Sequence, residues 1–570
     1  MTRSDRRLLA VAAALATAAL AVGIGRTDLW PPDETRVAEI SREMRAERSW
    51  LVPRLNGRPF LEEPPLFYWL QAGAYRLAGG PSAAAARCPA TVAAVLGVLV
   101  TMALARAVGA SAGIAGLILA TAPEYWWMAR SGTPDTAAAS ATALALTFFF
   151  LAWRSGRRSL LAAAAVAAGT AFWLKSLLGV GLASITIAAF VAWAGKGRLR
   201  TRDLLWAAAA TGSGAALWLV LLWRAESGGA VAFFVVKNHL GRLLGAPEQG
   251  HLRSALYYVP NLALDLSAWS IALPAAVASA WQERGDPGRL FVLLWAGLMT
   301  LTLTASASKR AHYLLPAYPA LAVLVAGWWV RSGERLLDRA TWSSFAVVLL
   351  LACPGLGLVL LSLESNVVLR MVETGSDHPM TLARELLQVP TGAASWGAAL
   401  LLALLGWGFL AARRARRPAQ AAVAAAACAT ALHLFVVIGV LPQFNLFSST
   451  RPWGEGLGRA ARSGVRLVAF GFPEPQALSP FMFYAGQRIL ALNPGDDVEA
   501  LLAEGSVCVL VREDAYARLA PSVRELPSTF GTVGGLRFVL VSARVGECPR
   551  LEPEAGVTQR HGSWPGAPSA

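Results

Sequence analysis

The chain has 570 residues, of which 55% are hydrophobic and only 15% are charged. Ordinary soluble domains carry roughly 25% charged residues, so this composition excludes them and indicates a polytopic membrane protein. A net charge of +16 can indicate a nucleic-acid partner. Here, however, Arg and Lys stand mainly in short clusters between apolar runs, as topology signals do. We therefore expect membrane lipids among the partners and no nucleic acid.

Long apolar runs recur up to residue 441 and predict about thirteen membrane-spanning helices. They cover residues 8–25, 89–107, 112–128, 134–153, 159–174, 177–195, 204–223, 256–281, 289–305, 311–330, 343–362, 391–412 and 419–441. The first run has the basic start of a secretory signal but no clear A-x-A cleavage site, which favours a retained helix. The fifth and sixth runs are short, and Leu174–Leu177 alone separates them, so they form either a tilted hairpin or include a re-entrant segment.

Basic clusters alternate along the chain and predict which side of the membrane each connection faces. With a cytoplasmic N-terminus, the cytoplasmic connections are Arg106–Ser111, Arg154–Arg158, Lys196–Arg202, Gln282–Arg289, Arg331–Arg339 and Arg413–Arg417. Each is basic, as the positive-inside rule requires. Residues 1–441 are thus expected to form a domain in the bacterial inner membrane, with the long loop 26–88 and the C-terminal residues on the periplasmic side.

Residues 442–550 have a different pattern. V-R-L-V-A-F-G-F, S-V-C-V-L-V and L-R-F-V-L-V predict short strands, and Asp497–Glu504 between them suits a helix. We predict a small periplasmic α/β domain here, followed by a disordered tail, residues 551–570, rich in Pro, Gly and Ser. Cys508 and Cys548 lie in this domain and could form a disulfide in an oxidising compartment.

The outer loop 26–88 contains two apolar patterns of helical period. R-V-A-E-I-S-R-E-M places Val37, Ile40 and Met44 on one face and charges on the other, which predicts an amphipathic helix lying in the membrane interface. Leu66–Leu77 predicts a second, with aromatic residues suited to the headgroup zone. The loop would form a cap over the bundle, a lipid-facing vestibule, or both.

Acidic residues stand at the outer ends of two predicted helices. The stretch W-P-P-D-E-T-R places Asp33 and Glu34 at the exit of the first helix, where an acidic pair is usually just solvated. Asp135, in S-G-T-P-D-T, begins the fourth helix at the same membrane depth. Alone, Asp135 could be a helix cap or a first-turn acid. Two carboxylates at one level on neighbouring helices suggest a base or a cation site.

Cations gather on the same outer side, against the usual topology bias. They are Arg36, Arg58, Lys175, Lys237, Arg242, Arg253, Lys309 and Arg310, near His239, His251, Tyr257, Tyr258, His312 and Tyr313 in sequence. Each could be a snorkelling side chain at a helix end. As a group they suit a phosphate at the membrane surface. The chain has no nucleotide-binding motif, so the combination predicts a transferase with a lipid-linked phosphosugar donor.

Two first-loop segments identify a family. D-E-T-R-V-A-E-I-S-R-E-M and W-L-V-P-R-L-N-G-R-P-F-L-E-E-P-P-L-F-Y-W-L closely resemble the first periplasmic loop of the aminoarabinose transferases, GT-C glycosyltransferases related to protein O-mannosyltransferases. The resemblance continues through Pro134–Thr136, Trp173–Ser176 and Lys309–Pro319. It implies a mainly α, GT-C type polytopic bundle of about thirteen transmembrane helices with a C-terminal periplasmic α/β domain. It also implies inverting transfer of a sugar from an undecaprenyl-phosphate type donor to a lipid, glycan or protein acceptor.

The resemblance implies roles for individual residues. Asp33 matches the essential aspartate of the family, a general base or an acceptor-orienting group, which Glu34 and Asp135 would support. The positions near the donor phosphate are Arg36, Lys175, Lys309 and Tyr313. Glu62 and His251 match what looks like a divalent metal site, and no other cofactor is implied.

One position departs from the family. The usual E-K-P-P has a lysine that looks like a phosphate ligand, whereas this chain has Glu63 there. A carboxylate would repel the anionic donor, so either Arg58 or Arg310 supplies the cation or a metal bridges Glu63 to the phosphate. The departure leaves the sugar and the acceptor open.

Two other functions are compatible with the sequence. One is a lipid or glycan transporter or flippase, which would carry broken helices and ionisable residues near mid-membrane. The charges here stand at helix ends on one face instead. The other is a non-catalytic homologue in which Glu63 marks the loss of donor binding.

Overall fold

The computed structural model of the chain describes residues 3–244, 252–332, 338–344, 404, 406–443, 445, 448–472, 474–493, 495–533 and 536–549. The helices of the membrane part are α1 (Arg3–Ala21), α2 (Asp33–Glu47), α3 (Leu66–Leu77), α4 (Ala83–Ala107), α5 (Ala112–Thr121), α6 (Pro123–Ala129), α7 (Asp135–Ser155), α8 (Arg158–Leu174), α9 (Leu177–Ala194), α10 (Thr201–Ala225), α11 (Gly228–Ala232), α12 (Gly241–Leu244), α13 (Tyr258–Asp265), α14 (Leu273–Gln282), α15 (Pro287–Ala305), α16 (Tyr318–Arg331) and α17 (Pro418–Phe435). Two further segments are π-helices, Phe233–Leu240 and Val436–Val440. Four are 3-10 helices, Ala255–Tyr257, Ser267–Ala272, Ala311–Ala317 and Leu441–Gln443.

Several of these helices can cross a membrane. Within the described residues, seven are long and apolar enough, and an eighth span results if the bent pair Ala255–Asp265 and Ser267–Gln282 counts as one. The chain is therefore a multi-pass membrane protein. The predicted runs 343–362 and 391–412 lie largely outside the described residues, so the count of about thirteen stays a prediction.

Two predicted runs are not single straight helices. Run 112–128 divides because Pro123, which lacks an N–H, starts α6 instead of continuing α5. Run 256–281 bends by 117° between α13 and the next turn, where Ser267 adopts a left-handed φ of 51°. Beside this bend, the hydroxyl of Tyr318, the first residue of α16, donates to the Asp265 carboxylate at 2.9 Å. This hydrogen bond joins the end of α13 to the start of α16. The fifth and sixth runs form two helices, α8 and α9, that meet at Lys175–Ser176.

Small residues let the central helices approach closely, as is typical in membranes. A Cβ at Gly97 of α4 would lie 2.4 Å from both the Tyr125 hydroxyl and the Ser140 hydroxyl. Around this contact, α7 packs against α4 and α8, and α9 packs against α15. The outer ends of α7, α8 and the Ala311–Ala317 turn consequently come together on one side of the bundle.

The C-terminal residues form a five-stranded sheet of β3 (Arg466–Phe470), β4 (Leu490–Ala491), β5 (Val507–Arg512), β6 (Ser528–Val533) and β7 (Leu536–Ser542). The order of the strands in the sheet is β4-β3-β5-β7-β6. β3 runs parallel to β4 and β5, whereas β5, β7 and β6 are antiparallel neighbours, with Leu467 opposite Cys508 and Val509 opposite Val541. The helices are α18 (Arg451–Arg462), α19 (Ser479–Ala485), α20 (Val498–Ala503), α21 (Glu513–Tyr516) and α22 (Pro521–Arg524), with a 3-10 turn at Pro475–Leu478.

Three features predicted for this part are confirmed. The three predicted strands appear as β3, β5 and β7. The predicted helix appears as α20, capped by the Asp497 side chain, which accepts hydrogen bonds from Glu499 N and Ala500 N. Cys508 and Cys548 form a disulfide that joins β5 to the end of the described residues.

The outer loop is a cap between the bundle and the sheet. α2 packs against α3 on one side and α19 on the other, and a short hairpin of β1 (Arg54–Leu55) and β2 (Arg58–Pro59) follows it. The predicted helix forms as α2, but it does not lie with one face in the membrane interface, because its charged residues Glu39, Arg42 and Glu43 are buried together with its apolar ones. Their charges pair inside the cap, Arg42 with Glu39 at 2.6 Å and Glu43 with Arg488 of the sheet domain at 2.6 Å.

Candidate active site

Asp33 is the first residue of α2, directly after Pro32, where the helix dipole favours a negative charge. One carboxylate oxygen accepts a hydrogen bond from Arg36 and the other from Arg310, both at 2.7 Å. Partial burial acts to raise the pKa of Asp33, but Arg36 and Arg310 outweigh it and leave the pKa below its ordinary value. The side chain keeps 32% of its surface exposed, so Asp33 is an ionised and accessible carboxylate.

Arg36 connects the loop to the sheet domain. It donates to the Gln476 side chain at 2.7 Å, and its guanidinium lies 5.6 Å from the centre of the Phe60 ring. Its Nε is buried and, within the described residues, has no hydrogen-bond partner. A buried donor without an acceptor costs stability unless a ligand or water satisfies it. Arg36 is thus ready to bind an anion beside Asp33.

A second ion pair lies next to the first. Asp135 begins α7 and is buried, and Lys175, at the break between α8 and α9, donates to its Oδ1. His312 Nε2 lies 3.6 Å from the same oxygen. The Lys175 ammonium also lies 5.9 Å from the centre of the Tyr313 ring. The outer ends of three segments therefore converge on one buried carboxylate.

A cavity of about 240 Å³ opens beside these pairs. Its polar end is formed by Glu62, Glu63, Lys175, Asn238, His239 and Tyr313. The rest is mainly apolar, with Leu177, Leu178, Leu182 and Ile185 from α9 and Leu303 from α15. Such a shape, polar at one end and apolar along a membrane helix, suits an amphiphile.

Glu63 lies between the charges at the polar end of this cavity. The Tyr68 hydroxyl donates to its Oε2 at 3.1 Å. Burial raises the pKa of Glu63 to about 7, with Lys175 opposing the shift and Asp135 adding to it. Near neutral pH the group is therefore present both as the neutral acid and as the carboxylate.

Glu34 does not fit the supporting role expected from the sequence. Its buried carboxylate accepts from Arg87 at 2.6 and 2.8 Å, from the Gly132 N–H at 2.7 Å and from the Trp30 N–H at 2.8 Å. These contacts tie the start of α2 to α4 and to the loop before α7. They are structural contacts, directed away from Asp33 because neighbouring residues of a helix project about 100° apart.

Two predicted phosphate ligands differ in position. Lys309 is buried next to the cavity, because its ammonium donates to the main-chain carbonyl of Ser306, a residue of the cavity wall, and to that of Arg253 at 3.3 Å. Arg58 is exposed and faces a different cavity, next to Arg488. Arg310, by contrast, joins the cluster through Asp33, whereas Tyr313 joins it through Lys175.

The predicted metal site stays a prediction, because Glu62 lines the polar end of the cavity but His251 lies outside the described residues. Within the described residues, no three His, Cys, Asp or Glu side chains gather as metal ligands.

The structure adds three residues to those singled out from the sequence as the site. Tyr68 and His312 contact Glu63 and Asp135, and Gln476 contacts Arg36 from the sheet domain. His312 lies within Lys309–Pro319 and was named from the sequence only as a neighbour of the basic residues. Gln476 is separated from Arg36 by 440 positions, and no local pattern marks it.

Comparisons with known proteins confirm the family resemblance. Residues 62–223 match the family model described as dolichyl-phosphate-mannose-protein mannosyltransferase. An undecaprenyl phosphate-alpha-4-amino-4-deoxy-L-arabinose arabinosyl transferase of Edwardsiella ictaluri is 30% identical over 382 residues, 65% of this chain and 66% of that protein. The corresponding transferase 2 of Proteus mirabilis is 28% identical over 323 residues, 55% of this chain and 57% of that protein. The chain thus matches less than two thirds of the length of these relatives.

Solved structures confirm the predicted fold class, a mainly α bundle of the GT-C type. The crystal structure of ArnT from Cupriavidus metallidurans bound to undecaprenyl phosphate has a TM-score of 0.72 and 19% identity, and covers 95% of this chain and 99% of that chain. The apo structure of the same protein has a TM-score of 0.74 and 20% identity, and covers 96% and 100%. At this identity the similarity establishes a shared fold.

Proposed function

We propose that the chain is an integral-membrane glycosyltransferase that moves a sugar from a polyprenyl-phosphate donor of the undecaprenyl type to an envelope lipid, glycan or protein. The observation that carries this proposal is the amphiphilic cavity, whose polar end holds Glu62 and Glu63, two carboxylates close enough to interact electrostatically with Arg36, the partner of Asp33. The arabinosyl transferases to which the chain is similar are named for such a donor, which supports the same activity here.

The cavity matches the chemistry of the donor. A polyprenyl phosphate is an apolar chain that ends in an anion, and the leucines of α9 would contact the chain. Lys175 and the unsatisfied Nε of Arg36 would bind the phosphate, since charge-assisted hydrogen bonds to phosphate are strong. A lipid in the surrounding membrane can reach a cavity between α9 and α15 without crossing water.

The transfer requires an acceptor oxygen to attack the anomeric carbon. The bond from that carbon to the phosphate oxygen then breaks, and the phosphate leaves with the electron pair and keeps its contact with Lys175. A hydroxyl acceptor would pass its proton to ionised Asp33, whereas an acceptor phosphate is already ionised and would only be oriented by the site. Arg36 and Arg310 hold Asp33 in position for either task.

We infer that the site and the sheet domain face the periplasm and that the N-terminus is cytoplasmic. The disulfide Cys508–Cys548 supports this placement, because disulfides persist in the periplasm and are rare in the cytosol. Rapid alkylation of intact cells, followed by mass spectrometry of the isolated protein, should find both cysteines blocked from alkylation. Two alkylated thiols in most molecules would place the domain in the cytoplasm.

The activity is tested with purified protein in sealed proteoliposomes and a set of polyprenyl-phosphate sugars. We expect release of free polyprenyl phosphate with a matching glycosylated acceptor. Asp33→Asn should reduce turnover by at least about a hundredfold, in the range of losing a positioned general base, while the protein stays folded. The matched control is Glu47→Gln at the other end of α2. Turnover near that of the natural protein in Asp33→Asn would remove Asp33 from the mechanism, and donor movement across the membrane without cleavage would favour a flippase.

A further inference from the structure

A small recess lies at the outer end of the bundle, formed by the loop after α1, by α6 and by the segment after α17. Its walls include Trp30, Arg87, Trp127, Arg130, Val437 and Leu441. It shares no wall residue with the amphiphilic cavity, so the two are separate features. Its volume of about 20 Å³ admits a group the size of one water or a phosphate oxygen and excludes a sugar ring.

Arg130 brings a buried positive charge to the recess. Only 9% of the residue is exposed, and its Nη1 donates to the main-chain carbonyls of Ala19 and Leu20 at the end of α1, at 3.4 and 3.1 Å. No carboxylate pairs with this guanidinium in the part of the chain that the structure describes. A buried cation without a counter-ion costs stability, so an anion that enters the recess would be bound favourably.

A second arginine stands beside the first. A Cβ on Gly23 would lie 3.6 Å from Arg130 Nη2 and also 3.6 Å from Arg26 Cδ, so the two side chains flank one point. Arg26 is exposed, and its side chain forms no ion pair with any described residue. Gly23 keeps the space between them open, because its φ of 76° suits glycine and a Cβ would lie 2.6 Å from Val437 Cγ1.

The neighbouring carboxylates already have partners. Glu34 accepts from Arg87, the other guanidinium on the wall, at 2.6 Å. Asp28 accepts from the Ser449 hydroxyl at 2.7 Å and lies 3.6 Å from Arg451. The charges of Arg26 and Arg130 are therefore left for a ligand.

Tryptophans place the recess at the level of the lipid headgroups. Trp127 of α6 and Trp30 of the outer loop lie edge to face with their ring centres 5.9 Å apart, and 36% of Trp127 is exposed. Exposed tryptophans at the ends of spanning segments are typical of the membrane interface. Val437 and Leu441 continue the wall with apolar surface. A phosphate that is covalently joined to an acyl chain fits these surroundings better than a free phosphate ion.

We propose that the recess binds the phosphate of an anionic phospholipid between Arg130 and Arg26, with the glycerol and upper acyl chain against Trp127. Guanidinium groups bind phosphate through strong charge-assisted hydrogen bonds. An ethanolamine headgroup would add an ammonium beside two unpaired arginines and be repelled. Phosphatidylglycerol, which carries no cation, is therefore the preferred ligand over phosphatidylethanolamine.

The recess also connects to the start of α2. Trp30 and Arg87 form part of its wall, and both donate to Glu34. A lipid that packs against these two residues would hold in place the end of the helix that begins with Asp33. By mass action, the bound lipid should also raise the Tm of the natural protein.

Binding is measured by native mass spectrometry of the full chain, delipidated in detergent and titrated with one ligand at a time. The probes are phosphatidylglycerol and phosphatidylethanolamine with the same acyl chains, and inorganic phosphate. We expect phosphatidylglycerol to bind at least about tenfold more tightly than phosphatidylethanolamine. Arg130→Gln should abolish this preference and the rise in Tm, and Arg26→Gln should reduce the preference at least about threefold. Arg76→Gln, which removes an exposed arginine of the same outer loop outside the recess, should leave both intact.

Arg26→Gln separates charge from folding, since the described contacts of Arg26 at 3.1 and 3.2 Å are made by its main chain. Thermal unfolding of each variant without lipid is compared with that of Arg76→Gln to verify folding. Three outcomes would overturn the inference. They are equal affinity for the two phospholipids, a preference that both recess variants retain, and displacement of phosphatidylglycerol by inorganic phosphate at equal molar concentration, which would identify a site for free anions.

Discussion

Glu34 and Asp33 are neighbours with opposite expected phenotypes. Asp33→Asn is expected to stop transfer and leave the fold intact. Glu34→Ala should instead destabilise the protein, because Arg87 would remain buried without its carboxylate, with only 3% of its side chain exposed. The main-chain N–H groups of Trp30 and Gly132 would also lose their acceptor.

The size of the effect follows from the contacts that remain. Removing one partner of a buried ion pair costs about 3–5 kcal/mol. In Glu34→Ala, Arg87 still donates hydrogen bonds to the carbonyl oxygens of Ile24, Thr27 and Asp28, at 2.7–2.8 Å. The loss in free energy of unfolding should therefore be near the lower end of this range, about 3 kcal/mol. At about 2.1 cal/mol/K of unfolding entropy per residue, this loss lowers the Tm by about 2–3 °C if all 570 residues unfold together. If only part of the chain unfolds cooperatively, the entropy of unfolding is smaller and the same loss of stability lowers the Tm further.

The assay is thermal unfolding in detergent at one scan rate, since membrane proteins of this size often unfold irreversibly. Glu47→Ala on the same helix is the control, because its partly exposed pair with Arg488 should contribute below about 1 kcal/mol. The double variant Glu34→Met, Arg87→Met should recover part of the loss, since it leaves no buried charge, although the N–H groups of Trp30 and Gly132 still lack their acceptor. An unchanged Tm together with loss of transfer in Glu34→Ala would refute the structural role and return Glu34 to the catalytic group.

Two further predictions concern the donor site. Glu63 loses its proton as the pH rises through about 7, which adds a negative charge beside Lys175, so the donor KM should rise by up to about tenfold between roughly pH 6 and pH 8. Glu63→Gln should flatten this rise in initial-rate measurements, and an unchanged profile would contradict the assignment. Lys175→Met should both weaken donor binding and lower the Tm, because it leaves the buried carboxylate of Asp135 unpaired. Adding Asp135→Asn should restore the Tm but not the donor affinity; restored affinity would show that Lys175 does not contact the donor.

Local sequence patterns predicted the elements whose formation depends mainly on residues close together in the chain, namely strands and a helix. Strands β3, β5 and β7 were predicted from runs of β-branched and apolar residues, and α20 was predicted as a helical segment over Asp497–Glu504; the structure adds that Asp497 caps it. The Asn56–Gly57 pair was an unused signal of the same kind. It forms the two-residue turn of the β1–β2 hairpin with φ values of 51° and 78°, as such pairs commonly do.

Contacts between distant segments could not be predicted in this way. Glu34 and Arg87 are 53 positions apart, and each looks solvated in its own segment. The bend at Ser267 gave no signal either, because a glycine usually takes a left-handed φ and none stands there. Both features depend on tertiary packing, which determines where a helix bends and which buried charges form ion pairs.

The balance of charge around the cavity explains why the position of Glu63 matters. Asp33 is held ionised by two guanidinium groups, and Asp135 is paired with Lys175, so three cations and two carboxylates leave one net positive charge. Glu63 is the neighbouring group whose charge changes near neutral pH. A neutral Glu63 leaves Lys175 shared with Asp135 alone and available to an incoming phosphate, whereas an ionised Glu63 competes for the same ammonium. The carboxylate of Glu63 would therefore make donor binding depend on pH instead of excluding the donor.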